Sequence, residues 1–430
     1  MPNAQSQPNV LCCGIGEYTT GFVGTGASKS DKKVGVVGLT MFDLRRRGLL
    51  GKDISMVGTN GDKFDGIRNH LTQNIENKYR DMDTTFTAYP EPGKRDPEAY
   101  KAAIDKLKPG DAITIFTPDT THFPIAVYAM KRKIHVLVTK PAVKTLKDHL
   151  ELARIAKEEG VLCFVEHHKR FDPAYADARD KAREDLGDLS YFYAYMSQPK
   201  TQLETFKAWA GRDSDISYYL SSHHVDILDW YIQERAVPTR VMANGALGIA
   251  NAEPFNCPPE TEDNITLLVD YAILDAKTQQ PLAHRRATGV FTASWAAPTG
   301  AGVHSEQHFH YVGTKGELKL NQSRRGYSCV REEGAGAGNT DFNPFYMKYA
   351  PDADGYFDGQ TGYGYRSLEL FIRACTEINS GRRDAQSYTG KLPTIHDTVA
   401  TTAILEAGRR SLDEKRPINI KKQGDAWTLV

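Results

Sequence analysis

Short apolar runs alternate with amphipathic stretches through the first third of the chain. The runs at residues 9–16, 53–60, 111–118 and 134–141 have the length of buried strands. The stretches between them carry apolar residues at helical spacing, for example over residues 34–48. Strands and helices that alternate in this way predict a parallel, doubly wound sheet with helices on its faces.

The pattern changes near residue 187, where several strand-like segments begin to follow one another. Such a succession predicts a large, mostly antiparallel sheet. Residues 331–365 are rich in glycine and tyrosine and predict a long loop, and two helices are expected after it. The fold class is therefore α/β, with a doubly wound parallel-sheet domain over residues 1–142 and an α/β domain with a large, open sheet over residues 143–430.

Bulk composition narrows the functional class. Lys plus Arg and Asp plus Glu both number 54 among 430 residues, so nucleic acid and anionic membranes are not expected as partners. The six cysteines are scattered without a C-x-x-C pair, which favours a reducing compartment and argues against a zinc site. The first ten residues are polar, and no apolar run is long enough to span a bilayer. A soluble, cytoplasmic protein is expected.

A glycine-rich turn follows the first predicted strand. Gly14 and Gly16 form a G-x-G pair, followed by Gly21, with Glu17 and Tyr18 at the start of the next segment. Glycines in such a turn let the backbone approach a pyrophosphate beside a helix. The spacing departs from G-x-G-x-x-G, so a plain glycine loop is the alternative interpretation.

The end of the second strand bears on the choice of cofactor. An acidic residue usually holds the adenosine ribose at this position, but Thr59 or Asn60 occupies it here. Asp62 and Lys63 follow directly. The lysine is compatible with a ribose phosphate and Asp62 with a free ribose, so both NADP and NAD are expected as candidates.

Residues 117–143 contain two short motifs. Thr117, Pro118 and His122 form a T-P-x-x-x-H segment, and Lys140 and Pro141 form a K-P pair preceded by Thr139. These motifs resemble the T-P-x-x-x-H and E-K-P segments of the glucose–fructose oxidoreductase/inositol dehydrogenase (Gfo/Idh/MocA) family, which usually has glutamate at the position of Thr139. Similar segments lie at residues 166–175, 311–320 and 403–420.

The resemblance covers nearly the whole chain and implies a Rossmann domain followed by an α/β domain whose large, open sheet is commonly an oligomer surface. It implies a homo-oligomer, dimer or tetramer, and no metal. His168 and Arg170 follow the strand after Cys163 and could face the cofactor or cap that strand. The glycine loop, the second strand end and the family segments together give the candidate cofactor-binding residues: Gly14, Gly16, Glu17, Tyr18, Thr59, Asn60, Asp62, Thr117, Pro118, His122, Thr139, Lys140, His168 and Arg170.

The same resemblance implies the catalytic residues. The lysine of the K-P pair is expected beside the nicotinamide and the substrate hydroxyl. A second family motif, D-x-G-x-H-x-x-D, falls on residues 219–226, where His223 and Asp226 match. Tyr219 replaces the first aspartate and Ser221 the glycine. This departure leaves open a changed substrate orientation, a role for the tyrosine, or lost catalysis.

Oxidation of a secondary alcohol requires loss of a hydride and of the hydroxyl proton. His223 suits the role of base because histidine titrates near neutral pH. The ammonium of Lys140, at the carboxyl edge of a parallel sheet, can polarise the hydroxyl and stabilise alkoxide charge. The alternatives are a buried helix histidine and a solvated lysine at a strand end.

Aromatic residues could supply faces for a sugar ring. Trp209 and Tyr363 are candidates, although loop packing or a subunit interface explains them equally well. The expected substrate-binding residues are Lys140, Trp209, Tyr219, His223 and Tyr363. His304, His308 and His310 share a strand face with Glu306, where a polar sheet face is favoured over a metal site.

The sequence thus predicts an NAD(P)-dependent oxidoreductase that acts on a sugar, polyol or related cyclic alcohol, with Lys140 and His223 carrying the chemistry and Tyr219 or Asp226 assisting. Two alternatives stay open. One is a non-catalytic sensor that binds the dinucleotide and a partner protein. The other is an NAD-dependent glycosidase of the same fold.

Overall fold

The computed structural model describes residues 6–28, 32–300, 303–332, 338–424 and 426–430. They form two compact units. The first contains the chain up to Ala142 and two later segments, Leu150–Phe171 and Phe345–Asp397. The second contains Val143–His149, Asp172–Pro344 and Thr398–Val430. The two later segments of the first unit thus come from residues that the sequence pattern places in the second domain.

A parallel sheet is the centre of the first unit. Apart from the edge strand β5, its strands are fully or nearly buried, because helices cover both faces of such a sheet and each inner strand is a continuous apolar run. The spatial order is β5-β4-β1-β6-β7-β8, and every neighbouring pair is parallel. The strands of this unit are β1 (Val10–Cys13), β2 (Phe22–Val23), β3 (Gly26–Ala27), β4 (Ile54–Val57), β5 (Thr87–Tyr89), β6 (Ala112–Ile115), β7 (His135–Thr139) and β8 (Cys163–Glu166).

Helices join these strands and extend into the rest of the chain. Helix α6 begins where the Thr145 hydroxyl accepts a hydrogen bond from the Asp148 backbone N–H at 3.1 Å, which caps the helix. The described helices are α1 (Glu17–Thr20), α2 (Val37–Arg46), α3 (Phe64–Leu71), α4 (Ala99–Ile104), α5 (His122–Met130), α6 (Leu146–Glu159), α7 (Pro173–Glu184), α8 (Leu203–Phe206), α9 (Ser222–Ile232), α10 (Tyr363–Asn379) and α11 (Val399–Glu414).

The order of the first sheet determines where a ligand can bind. The chain runs outward from β1 in one direction through β4 and β5, and in the other direction through β6, β7 and β8. Connections therefore leave β1 and β6 toward opposite sides, and a crevice opens at the carboxyl ends of these two strands. The glycine turn follows β1 and the Thr117–Pro118 segment follows β6, so both predicted segments lie at this crevice.

A second, larger sheet is the centre of the second unit. Its order is β14-β13-β9-β12-β11-β10-β17-β18, and all neighbouring pairs are antiparallel except β9 with β12. Its strands alternate between buried and more exposed residues, which is the pattern of a sheet with one covered face. The strands are β9 (Leu189–Pro199), β10 (Ala236–Ala246), β11 (Asn264–Leu274), β12 (Pro281–Ala297), β13 (Glu306–Gly313), β14 (Glu317–Asn321), β17 (Ile418–Gln423) and β18 (Ala426–Leu429), and the hairpin β15 (Tyr327–Arg331) and β16 (Gly338–Phe342) lies between β14 and α10 in the chain.

The predicted loop at residues 331–365 is partly wrong. Strand β16 lies inside it, and α10 begins at Tyr363, so Tyr363 and Tyr365 are helical. The helix starts early because both tyrosines are buried and extend the apolar stripe that Leu368 and Phe371 continue. Residues 333–337 of that predicted loop lie outside the described residues.

Among the described residues, no helix is both long and apolar enough to cross a bilayer.

Candidate active site

Lys140 follows β7 at the carboxyl edge of the parallel sheet, and its peptide bond to Pro141 is cis. The residue is partly buried. Burial lowers the pKa of the Lys140 ammonium to about 8, although the carboxylates of Asp119 and Glu166 act to raise it; Lys32 lowers it further. A lysine with this pKa can hold or release a proton close to neutral pH.

His122 fixes the backbone on both sides of this edge. The residue is fully buried, and its Nδ1 lies 3.0 Å from the carbonyl oxygen of Pro141. Its Nε2 lies 2.9 Å from the carbonyl oxygen of Thr117, so the ring joins the segment after β6 to the segment after Lys140. Both ring nitrogens contact the protein itself, which gives His122 a positioning role.

The glycine turn after β1 combines one tightly packed glycine with one that faces open space. Gly14 has a φ of +95°, and a Cβ there would lie 2.0 Å from the carbonyl oxygen of Phe116. Only glycine fits that close approach. A Cβ on Gly16 would meet nothing within 4 Å, so the space in front of this backbone is open. The turn therefore leaves room for a phosphate to approach the main chain, and the residues present fit the cofactor.

The side chains next to this turn are held inside the protein. The Tyr18 ring stacks on Phe116 with centroids 5.1 Å apart, and its hydroxyl is hydrogen-bonded to that of Tyr346. Burial raises the pKa of Tyr18 well above its usual value, and the nearby Glu166 carboxylate raises it further. The Glu17 carboxylate accepts a hydrogen bond from the Ser28 hydroxyl. Tyr18 and Glu17 therefore support the shape of the turn.

The predicted ribose-binding residues follow β4, and two of them, Asn60 and Asp62, form hydrogen bonds with nearby backbone N–H groups. The Asn60 side chain accepts a hydrogen bond from the Asp62 backbone N–H at 3.1 Å. The Asp62 carboxylate accepts one from the Gly93 N–H at 2.7 Å. Thr59 and Asp62 are exposed. These contacts do not distinguish NAD from NADP as the cofactor.

Glu166 and His168 contact each other at the end of β8, a pairing that the sequence does not predict. Glu166 is 2% exposed. Its Oε2 lies 3.0 Å from the Nδ1 of His168, and its Oε1 accepts a hydrogen bond from the Ser367 hydroxyl at 3.0 Å. The His168 ring stacks on Tyr363 with centroids 5.7 Å apart. Arg170 is buried in the same short turn. Tyr363 is 3% exposed, so it packs against His168 within the first unit.

In the second unit, His223 lies in the first turn of α9 and is 6% exposed. Asp226 is also buried and lies three residues later, on the same face of the helix. Tyr219 belongs to the π-helical turn Ser217–Ser221 that leads into α9. Turns of this kind are frequent at functional sites. His224 instead lies in the core, with its Nε2 3.5 Å from the Tyr175 hydroxyl.

Trp209 and Tyr219 form an aromatic cluster in this unit. Their ring centroids are 5.2 Å apart, and Phe206 lies 5.1 Å from Tyr219. Trp295 lies 6.1 Å from Trp209. Both Trp209 and Tyr219 keep a partly exposed surface, so they can still present a face to a ligand.

The strand histidines pair with carboxylates on their own sheet. His310 Nε2 lies 2.7 Å from Glu317, and His308 lies 3.9 Å from Glu306. The part of the chain that the structure describes holds no group of three or more His, Cys, Asp and Glu residues suited to a metal ion.

Comparisons with known proteins bear on the family and the fold. Residues 63–167 match the GFO_IDH_MocA family model, described as an oxidoreductase family with an NAD-binding Rossmann fold. The chain is 34% identical over 118 residues to the uncharacterized oxidoreductase YdgJ of Escherichia coli, an alignment that covers 27% of this chain and 34% of that protein. It is 29% identical over 220 residues to scyllo-inositol 2-dehydrogenase (NAD(+)) of Bacillus subtilis, covering 51% of this chain and 58% of that protein. The matches therefore span less than two thirds of either relative.

A solved structure extends the likeness to the whole fold. Scyllo-inositol dehydrogenase from Lactobacillus casei, with bound NAD(H) and scyllo-inositol, superposes with a TM-score of 0.63 at 13% identity, covering 96% of this chain and 99% of that one. The six-stranded parallel sheet and the eight-stranded, mostly antiparallel sheet agree with this likeness, which confirms the predicted fold class. Residues 63–167 thus match the NAD-binding Rossmann model of the Gfo/Idh/MocA oxidoreductase family, and the chain shares its overall fold with scyllo-inositol dehydrogenase from Lactobacillus casei.

Proposed function

We propose that this protein is an NAD(P)-dependent oxidoreductase that transfers a hydride between the nicotinamide and a secondary alcohol or ketone of a sugar, polyol or related cyclic alcohol. The observation that supports it best is Lys140, a partly buried lysine with a pKa lowered to about 8 by burial, at the edge of the sheet where dinucleotides bind. A titratable group with a strongly shifted pKa in such a cleft is a candidate for a functional site.

The cofactor, when bound, supplies the acceptor or donor of the hydride. Lys140 has the chemistry to orient the substrate hydroxyl and to stabilise negative charge on its oxygen. Because its pKa lies near 8, it can also take up or return a proton near neutral pH. His223, from the second unit, is the proposed base, with Asp226 on the same helix face and Tyr219 as its assistants.

The class of substrate rests on the named relatives. The Bacillus relative is a scyllo-inositol 2-dehydrogenase, and the Lactobacillus casei structure holds scyllo-inositol. Cyclic polyols are therefore the first compounds to test. The aromatic surface of Trp209 and Tyr219 suits the apolar face of such a ring.

The test is a panel of inositols, hexoses and uronates incubated with NAD or NADP, read by the absorbance of the reduced cofactor. Turnover by the wild type that Lys140→Ala abolishes supports the proposal, and exposed Lys131→Ala is the matched control that retains it. Sugar release from glycosides without net reduction would favour the glycosidase. Tight dinucleotide binding with neither reaction would favour the sensor.

A further inference from the structure

Lys140 is flanked by acidic residues from two different strands. Strand β7 lies between β6 and β8 in the sheet. Asp119 begins the short turn after β6, and Glu166 is the last residue of β8. The parallel register sets Glu166 opposite Thr139, directly before the lysine. The strand of Lys140 offers only a threonine hydroxyl there, whereas both neighbouring strands lead into a carboxylate.

The two carboxylates are held in place by the protein. Glu166 is almost completely buried and is fixed by Ser367 and His168, each at 3.0 Å. Asp119 is partly buried in a turn that the Thr121 hydroxyl closes by donating to the Pro118 carbonyl oxygen at 2.7 Å. The Glu166 carboxylate cannot leave this edge without breaking its two contacts, and the turn places Asp119 beside the same edge.

We propose that Asp119 and Glu166 are positioning residues that together hold the Lys140 side chain and keep it an ammonium ion at neutral pH. The inference rests on the proposed function of Lys140. Thr139 has no charge, so the negative charge opposite the Lys140 ammonium comes from the carboxylates that follow β6 and end β8.

The other charges near this group are consistent with such an arrangement. Lys32, which precedes α2, is close enough to lower the pKa of Lys140, so the edge carries two cations and two carboxylates. Tyr18, Tyr346 and His168 lie against Glu166 from the glycine turn, the segment before α10 and the turn after β8. Burial raises the pKa of both tyrosines far above neutral, so they stay uncharged. The two carboxylates therefore carry the negative charge that faces the ammonium groups of Lys140 and Lys32.

Competitive labelling of the full-length protein with acetic anhydride tests this without any substrate. Labelling of the Lys140 peptide is followed by mass spectrometry as a function of pH, with the peptide of exposed Lys277 as an internal reference. We expect a wild-type midpoint near pH 8. Asp119→Asn and Glu166→Gln should each lower that midpoint by about one pH unit, since a unit charge at close range in a partly buried site has an effect of this order. Exposed Asp65→Asn is the matched control and should leave it in place.

A second variant tests the geometry. Thr139→Glu in the Glu166→Gln background returns a carboxylate to the register-paired position and should restore the midpoint. Circular dichroism establishes that each variant is folded; if Glu166→Gln is not, Asp119→Asn carries the test. Folded variants that keep the wild-type midpoint would overturn the inference. If the wild type transfers no hydride, and both variants still have a lower Lys140 midpoint than the wild type, the proposed function alone would be overturned.

Discussion

Replacing Lys140 by methionine should make the protein more stable while it abolishes turnover. Methionine has nearly the length of lysine but no charge. The ordinary pKa of a lysine is 10.5, whereas burial lowers that of Lys140 to about 8 even with two carboxylates nearby. The folded chain therefore holds this ammonium at a cost, and removal of the charge removes that cost.

The magnitude follows from the size of the pKa shift. Each pKa unit corresponds to about 1.4 kcal/mol, so the shift from 10.5 to about 8 corresponds to at most about 3.5 kcal/mol. The sign depends on pH. Below the folded pKa, both states carry the proton and the full cost is present. Between the folded and unfolded pKa values, the folded chain has lost a proton that the unfolded chain keeps, so wild-type stability rises with pH.

Urea unfolding of the wild type and Lys140→Met measures this effect. Far-UV circular dichroism reports on both units, whereas the four tryptophans all lie in the second unit. If the units unfold separately, the change should appear in the circular dichroism transition and not in tryptophan fluorescence. If they unfold together, both probes should report the same gain.

We expect the variant to exceed the wild type by about 2–3 kcal/mol at about pH 7, with the difference shrinking as the pH rises toward about 10. A variant that is less stable than the wild type at neutral pH, or a difference that does not depend on pH, would refute the reasoning. Exposed Lys131→Met is the control and should change the free energy of unfolding little.

Three further predictions concern other parts of the molecule. His223→Asn should lower kcat by about a hundredfold or more in steady-state assays, with dinucleotide affinity unchanged and exposed His284→Asn as control. Gly14→Ala should weaken dinucleotide binding by about tenfold or more in fluorescence titrations, because its Cβ would lie 2.0 Å from a carbonyl oxygen; unchanged affinity would contradict the role of this turn. Asp172→Asn should destabilise the second unit by about 3 kcal/mol in urea unfolding followed by tryptophan fluorescence. The Arg325 guanidinium lies 2.7 Å from the buried Asp172 carboxylate, and the substitution removes this ion pair. A loss of less than about 1 kcal/mol would argue against this role of the pair.

The Rossmann sheet could be predicted because its evidence is local. Each buried strand is a short apolar run, and the intervening helices have clear apolar stripes. The order of the strands is not local, and it decides what surrounds Lys140. Asp119 and Glu166 were both missed as its neighbours, although each directly follows or ends an apolar run and could have been noted as a strand-end carboxylate.

Local sequence patterns also could not predict that a later segment of the chain returns to the first unit. The segment Phe345–Asp397 contributes Tyr346 and Ser367 to the surroundings of Tyr18 and Glu166. These contacts join residues more than 200 positions apart, so no window of sequence contains them. The early start of α10 was missed for a related reason: Gly364 lowers helix propensity, and burial of Tyr363 and Tyr365 outweighs it.

The most direct test of the central claim is transfer of the hydride itself. The wild type and Lys140→Met are incubated with carbon-deuterated inositols and oxidised NAD or NADP, and the nicotinamide is examined by proton NMR and mass spectrometry. We predict deuterium at a single face of the reduced ring with the wild type and none with the variant, although both bind the dinucleotide. Equal deuterium transfer by the variant would contradict the role of Lys140 at the reacting edge of this sheet.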